Sequence, residues 1–182
     1  MNKPLVVCAL SDELKIKSPK VDFLYTGVGK INAAISMTEF LCKNPLPPYV
    51  INFGTAGSKK IPVGSLVDCT KFIQRDMDAT PMGFKIGETP FEEEPSMVDF
   101  SHIKNPIGLN TFCYTGDTFE TNISQYDDVV DMEAYALAKT CRNLGKDFVS
   151  YKYISDDGNA DDWEKNCGKG VKEFKKLLNE IL

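Results

Sequence analysis

Long hydrophobic runs are absent from this sequence. No stretch approaches about 20 consecutive apolar residues, the length that a membrane-spanning helix needs. The opening MNKPLVVCAL contains an apolar run too short for a signal peptide, and acidic residues follow at once in SDEL. We therefore expect a soluble protein that stays inside the cell, in the cytoplasm.

Clustered positive charge is also missing. The chain has 21 basic and 26 acidic residues and a formal net charge of −5, and no Lys/Arg cluster stands out except the scattered lysines of the last predicted helix. Nucleic acids and anionic membranes are bound by basic patches. The charge pattern therefore argues against a nucleic acid or a membrane as the main partner.

The six cysteines form no CxxC pair, and no pair of histidines stands near them. Zinc sites and dense disulfide frameworks need more closely spaced ligands or cysteines. We expect reduced, buried thiols and no metal site. His102, the only histidine, lies in the polar segment FSHIKN, where a surface or capping role is the simpler interpretation.

Neither nucleotide-binding glycine motif is complete. The turn TGVGKINAA, residues 26–34, lacks the third glycine of a dinucleotide loop, and no GxxxxGK[ST] occurs in the chain. Two interpretations of this turn stay open. It is either a tight turn with exposed N–H groups or a backbone surface for a small polar ligand.

The chain alternates apolar runs with amphipathic stretches, which predicts an α/β protein. The predicted strands are PLVVCAL, VDFLYT, YVINFG, GSLVDCTKFIQ, IGLNTFCYTG, DVVDM and DFVSYKYIS, and the predicted helices span residues 31–43, 134–144 and 162–182. The side chains predicted to share one face of the first helix are Ile31, Ala34, Ile35, Thr38 and Leu41. We expect one domain, residues 1–182, with a central twisted mixed β-sheet flanked by helices.

Polar residues follow several of the predicted strands, at the place where α/β folds bind ligands. Asp131 and Glu133 stand between DVVDM and a helix, ISDDGN follows the last strand, and Thr55 lies between two glycines in NFGTAGS. Each acid alone is explained as a helix cap or a solvated turn residue. Their recurrence at strand ends favours one shared site.

In order along the chain, ALSDEL, TGVGKINAA, INFGTAGS with VGSLVD, RDMDAT, TGDTF, VDMEAYALAKTC and YISDDGN resemble the purine nucleoside phosphorylase and nucleosidase superfamily. The closest resemblance is to the branch that hydrolyses 5′-methylthioadenosine and S-adenosylhomocysteine. The specific part is a DMEA motif followed by an ISD motif. The resemblance implies a nucleoside phosphorylase-like fold and cleavage of the N-glycosidic bond of a purine nucleoside.

The chain is shorter than is usual for that superfamily. Only residues 15–24 separate SDEL from the YTGVGK segment, where relatives have a β-hairpin. A helix expected before IGLNTFCYTG is reduced to PSMVDFSHIKN. We therefore expect differences at the sheet edge and in part of the pocket wall.

The resemblance implies roles for three carboxyl groups, with no cofactor. Asp156 is the general acid that protonates the departing purine, which requires a proton held on its carboxyl group. Glu133, as an anion, accepts hydrogen bonds from the ribose 2′- and 3′-hydroxyls and favours positive charge on the ring. Glu13 is the general base that activates water, and Asp131 has the purely structural role.

Further substrate-binding residues are implied in the same way: Leu10, Thr55, Met82, Phe84, Phe119, Met132 and Ser155. Ser155 orients the acid beside it, Phe119 stacks on the purine, and Met132 lies against the sugar or base. By analogy the protein is a homodimer in which Met82 and Phe84, from the irregular segment 76–96, complete the neighbour's pocket. Trp163 is expected to pack or to form a wall near ISDDGN.

Two alternatives to hydrolysis stay open: phosphorolysis, and nucleoside binding without turnover. The three acids argue against loss of turnover. Phosphorylases of this superfamily bind phosphate with arginines, one of them two residues before the glycine of the motif that here reads NFGTAG. This chain has Asn52 there, and its two arginines are Arg75 and Arg142. Arg75 remains a possible phosphate ligand.

Overall fold

The computed structural model describes residues 2–182, which form eight strands and four α-helices. The strands are β1 (Leu5–Cys8), β2 (Asp22–Tyr25), β3 (Tyr49–Gly57), β4 (Leu66–Gln74), β5 (Val98–Asp99), β6 (Thr111–Thr115), β7 (Val129–Asp131) and β8 (Asp147–Asp156). The helices are α1 (Lys30–Lys43), α2 (Ala134–Asn143), α3 (Ala160–Asn166) and α4 (Val171–Ile181). All seven predicted strands are present, and β5 replaces the reduced helix.

The strands form one mixed sheet, which confirms the predicted fold class. Parallel pairing joins β2 to β1, β1 to β3 and β3 to β8, and β8 then pairs antiparallel with β4. β4 continues in parallel to β6, and β6 to β7. Gly57 of β3 pairs with Val130 of β7, so five strands close into a ring. The strand pattern alone did not predict this closure.

Each face of the sheet carries its own core. Leu5 and Val7 belong to the cluster that packs under α1 and α2, whereas Val6 of the same strand belongs to the cluster under α4. Phe174 of α4 stacks on Phe53 of β3 with ring centroids 4.3 Å apart. Burial on both faces explains why these strands are apolar throughout.

Of the face predicted for helix α1, only Leu41 is fully buried. The buried side chains of this helix are Ala33, Met37 and Leu41, whereas Ile31 and Ile35 are 71% and 60% exposed. KINAAISMTEFLCK has apolar residues on two sides, so its periodicity did not decide which side faces the sheet. The exposed isoleucines leave an apolar strip on the surface of α1.

The predicted final helix is broken into α3 and α4. Gly168 has a φ of +82°, in the left-handed region, and a Cβ at Gly170 would lie 2.5 Å from the Tyr153 ring. Backbone at these two glycines therefore turns and packs closely where a side chain would not fit. The break separates α3, which follows the end of β8, from the core helix α4.

The cysteine and surface predictions have mixed outcomes. All six thiols are free, but Cys42 is exposed and Cys167 is only half-buried, against the prediction that all are buried. His102 is exposed, and its ring centroid lies 6.1 Å from that of Phe100. Within residues 2–182 no helix combines the length and the apolar character that crossing a membrane requires.

Candidate active site

A cleft of about 250 Å³ opens where β1, β3, β7 and β8 end. Seven of the ten predicted site residues line it: Leu10, Glu13, Thr55, Phe119, Met132, Glu133 and Asp156. Ser155 lies behind the wall, against Asp156, and Met82 and Phe84 lie outside the cleft. Strand ends thus bring together three carboxyl groups that are far apart in the sequence.

Glu13 is held by three main-chain or hydroxyl donors. The N–H of Thr55 (2.9 Å) and its hydroxyl (2.6 Å) both donate to Oε1, and the N–H of Leu10 donates to Oε2 at 3.2 Å. The residue is 5% exposed. These donors fix one orientation of a carboxylate at the wall of the cleft.

Asp131 is the residue that caps α2. Its Oδ2 accepts hydrogen bonds from the N–H groups of Glu133 (3.2 Å) and Ala134 (2.8 Å). The same oxygen lies 2.8 Å from Lys152 Nζ. Glu133 occupies the N-cap position but makes no side-chain capping hydrogen bond. Its Oε1 instead accepts the N–H of Gly29 at 2.9 Å. The carboxyl group of Glu133 is therefore free of the capping task.

The same contacts explain the glycine turn. Gly29 has a φ of +96°, which is favourable for glycine and turns its N–H to Glu133. The next N–H, that of Lys30, donates to Asp117 Oδ1 at 2.8 Å. The segment is the tight turn of the first interpretation, but the N–H groups of Gly29 and Lys30 donate to the protein's own carboxyl groups.

The buried charges beneath the cleft set opposite ionisation states for the two acids. Burial opposes ionisation of Asp131, but Lys152 and Thr115 hold its pKa below the usual value. Burial, and next the charge of Asp131, raise the pKa of Glu133 to about 8. At neutral pH and without substrate, Glu133 is therefore mainly protonated, whereas the sequence-based expectation was an ionised group.

Asp156 ends β8 beside Ser155. The Ser155 hydroxyl lies 2.8 Å from Asp156 Oδ2 and 3.3 Å from the carbonyl oxygen of Ala56, and the N–H of Gly158 donates to Oδ1 at 2.9 Å. The single hydroxyl hydrogen can be donated to only one of these two oxygens, and when it is donated to Ala56 the hydroxyl oxygen can accept a hydrogen bond from a protonated carboxyl group. A Cβ at Gly57 would lie 3.0 Å from Oδ1, so glycine leaves the carboxyl its space.

Arg75 holds the segment that carries Phe119. Its guanidinium group donates to the carbonyl oxygen of Thr118 and, at 3.2 Å, to Glu120 Oε2, on either side of that phenylalanine. Phe119 lines the cleft and is 38% exposed. Arg75 also lines the cleft, but both terminal nitrogens are engaged by the protein.

The other candidate phosphate ligands lie away from the cleft. Asn52 donates to the carbonyl oxygen of Val7 (3.0 Å) and accepts from Ser150 (2.7 Å) inside the sheet. Arg142 donates to the carbonyl oxygen of Pro95 at 3.0 Å. Neither residue lines the cleft.

Sequence reasoning missed Lys152 and the contact between Trp163 and Thr55. Lys152 is 1% exposed in a strand of apolar residues, and a lysine there signals a buried acidic partner. Trp163 lines the cleft beside Asp156, as the wall expected near ISDDGN. Its contact with Thr55 had no local signal.

A mixed sheet whose strand ends bring three carboxyl groups to one cleft defines an α/β protein with a candidate acid–base site. Residues 13–106 and 107–182 match the family model for the phosphorylase superfamily, and the chain belongs to that superfamily. It is 31% identical over 192 residues to a 5′-methylthioadenosine/S-adenosylhomocysteine nucleosidase of Hydrogenovibrio crunogenus, covering 92% of this chain and 82% of that protein.

Two further relatives have the same name. The nucleosidase of Staphylococcus haemolyticus is 27% identical over 193 residues, covering 92% of this chain and 83% of that protein. The crystal structure of the Colwellia psychrerythraea nucleosidase in complex with adenine superposes with a TM-score of 0.79 at 20% identity. The superposition covers 97% of this chain and 93% of the Colwellia chain, which confirms the fold.

Proposed function

We propose that this protein is a nucleosidase that hydrolyses the N-glycosidic bond of adenine nucleosides, with 5′-methylthioadenosine and S-adenosylhomocysteine as substrates. One observation carries the proposal: Glu13, Glu133 and Asp156 line a single cleft from three different strand ends. The names of the relatives supply the substrate class. The six free thiols suit a reducing compartment, and we place the activity in the cytoplasm.

Each carboxyl group has a separate task in this reaction. Asp156, which Ser155 orients by a hydrogen bond, delivers a proton to the departing base. Glu133 accepts hydrogen bonds from the ribose hydroxyls. These hydrogen bonds, and the positive charge that develops on the sugar, favour the ionised form of Glu133. Glu13, fixed by Thr55 and Leu10, takes a proton from the attacking water. Phe119 packs on the base and Met132 on the sugar.

Water rather than phosphate is the proposed nucleophile. Among the residues that line the cleft, Arg75 is the only cation, and Glu120 and the carbonyl oxygen of Thr118 occupy its terminal nitrogens. A phosphate dianion would have to compete with Glu120 and Thr118 for this guanidinium group, and it would lie beside the carboxyl groups that line the cleft. These contacts favour hydrolysis over phosphorolysis.

We expect adenine release in phosphate-free buffer, with free methylthioribose as the sugar product. The measurement is a panel of purine nucleosides assayed for free base with and without phosphate, with the sugar product identified by mass spectrometry. A rate proportional to phosphate, with sugar 1-phosphate formed, would make the protein a phosphorylase. Nucleoside binding seen by calorimetry without release of any base would make it a binding protein.

We further propose that the protein is a homodimer. Ile31 and Ile35 expose an apolar strip on α1, and Val28 at the start of that helix is both 41% exposed and part of the cleft wall. Met82 is 61% exposed and lies outside the cleft of its own subunit. An apolar surface continuous with the mouth of the site suits a second copy that brings its own 76–96 segment to it.

Subunit mixing tests this arrangement. Glu133→Gln subunits and Met82→Asp/Phe84→Asp subunits should each be nearly inactive, because one lacks the acid and the other damages the neighbour's pocket. Mixed dimers contain one site without either change, so about a quarter of the normal activity or less should return on mixing. Mixtures without any recovery, or wild-type protein that sediments as a monomer, would contradict the proposal. Lys17→Asp, on the exposed segment after SDEL, is the control for added charge.

A further inference from the structure

Trp163 makes a polar contact that the roles proposed above do not use. It is the only tryptophan in the chain, it lies on α3, and its Nε1 is 2.9 Å from Thr55 Oγ1. The two residues are 108 positions apart in the sequence. Thr55 in turn makes the two hydrogen bonds that fix Oε1 of Glu13.

The chemistry of the three groups sets the direction of this chain of hydrogen bonds. An indole N–H only donates, and a carboxylate only accepts. The Thr55 oxygen must therefore accept from Trp163, and its single hydrogen is directed to Glu13 at 2.6 Å. Without the indole N–H, the hydroxyl could rotate and use its oxygen or hydrogen elsewhere.

Helix α3 is itself held in place at both ends. The Asn159 side chain caps it by accepting the N–H of Asp161 at 2.9 Å. The Asn166 side-chain amide donates to the carbonyl oxygen of Ser155 at 2.7 Å, directly before the proposed acid Asp156. The indole is thus attached to a short helix that is tied to the same strand end as the site.

We propose that Trp163 is a positioning residue for the nucleophile: its indole N–H fixes the Thr55 hydroxyl as a donor to Glu13 and so holds the base that activates water. This inference rests on the proposed hydrolysis. The role differs from that of a wall for the ligand. A wall contributes to substrate affinity, whereas a residue that acts through Thr55 and Glu13 contributes to the chemical step.

A double-mutant cycle separates the two roles. Trp163→Phe keeps an aromatic ring and removes the N–H, and we expect kcat to fall about three- to tenfold, the effect of one net hydrogen bond, with KM nearly unchanged. Thr55→Val removes the hydroxyl through which the indole acts. The double variant should therefore be no slower than Thr55→Val alone. Lys165→Ala, on the exposed side of α3, should keep the normal kcat.

Two kinetic outcomes overturn the inference. One is a Trp163→Phe enzyme with normal kcat and a raised KM, which would make the side chain a wall. The other is a double variant in which the two losses multiply, because Trp163 would then act independently of Thr55.

The single tryptophan also allows a test without turnover. One indole N–H resonance is expected in the ¹⁵N–¹H spectrum, and Thr55→Val should move it upfield and speed its exchange with solvent. A resonance that is unchanged in Thr55→Val overturns the hydrogen-bond chain even if the enzyme is active. If wild-type protein releases no base from any nucleoside, the proposed function and the positioning role fail together, and the resonance still decides whether the contact exists.

Discussion

Asp156→Asn is expected to lower kcat/KM for adenine nucleosides by about a hundred- to ten-thousandfold, the contribution of a general acid. An amide fills the same space but cannot deliver a proton to the departing base. Asp157→Asn is the matched control, because this neighbour is exposed and forms an ion pair with Lys59 at 2.6 Å. That variant should retain normal activity.

The Asp156→Asn variant should fold normally. The amide oxygen can still accept the N–H of Gly158, and the amide nitrogen can donate to the Ser155 hydroxyl, whose own hydrogen can turn to Ala56. The main-chain space beside Gly57 is unchanged by a substitution of equal size. An unaltered unfolding midpoint would therefore accompany the loss of activity.

The acid role is tested by changing the leaving group. The leaving group of a 4-nitrophenyl riboside, 4-nitrophenolate, departs as a stabilised anion and needs little protonation, so Asp156→Asn should slow hydrolysis of this substrate far less than that of 5′-methylthioadenosine. Equal losses on both substrates would mean that Asp156 serves binding or structure and that the proton comes from elsewhere.

Sequence patterns predicted the strands and helices of this fold better than they predicted which strands pair. The apolar runs of β3 and β8 are strong strand signals, but the pairing of Gly57 with Val130, which closes the ring, joins distant segments and has no local signature. The break between α3 and α4 did have a signal in Gly168 and Gly170. It was missed because the polar and apolar residues on both sides keep a helical period.

The candidate site shows the same division. Glu13, Glu133 and Asp156 follow strands, so their convergence on one cleft could be predicted from strand ends and the family resemblance. Their ionisation states could not. The raised pKa of Glu133 comes first from its burial and next from the charge of Asp131, and the ion pair of Asp131 joins it to Lys152, 21 positions away. Charge pairing inside a core is a property of the packed structure.

Glu133→Gln is expected to abolish most turnover and, at the same time, to stabilise the unliganded protein. The loss of activity should be about a hundredfold or more, because the amide cannot balance the positive charge that develops on the sugar. The gain in stability comes from removing a carboxyl group whose charge is unfavourable in the unliganded site. Without substrate this carboxyl group is buried next to Asp131, and Lys152 is already paired with that neighbour.

The sign of the pH dependence follows from the direction in which folding moves the pKa of Glu133. That pKa is raised from 4.5 to about 8 on folding, so the folded protein binds a proton that the unfolded chain releases between these values. The contribution of Glu133 to stability is fully present below about pH 4.5 and is lost as the pH rises to about 8. Over this range the free energy of unfolding falls by about 1.4 kcal/mol for each pH unit.

Glutamine has no proton to lose, so the variant and the wild type should differ little at pH 4.5 and diverge as the pH rises. At pH 8 the unfolding midpoint of Glu133→Gln should be higher by about 2–4 °C for each kcal/mol of relief. Glu180→Gln, on the exposed side of α4, removes the same charge in solvent and should change neither the midpoint nor the rate. A folded Glu133→Gln protein with a near-normal rate would reduce Glu133 to a structural residue. A variant less stable than wild type at pH 8 would mean that the carboxylate is stabilised in the folded site by contacts that outweigh its burial.

Lost turnover combined with a midpoint gain that grows with pH is the result expected of a site whose charge arrangement is suited to the ligand and unfavourable without it.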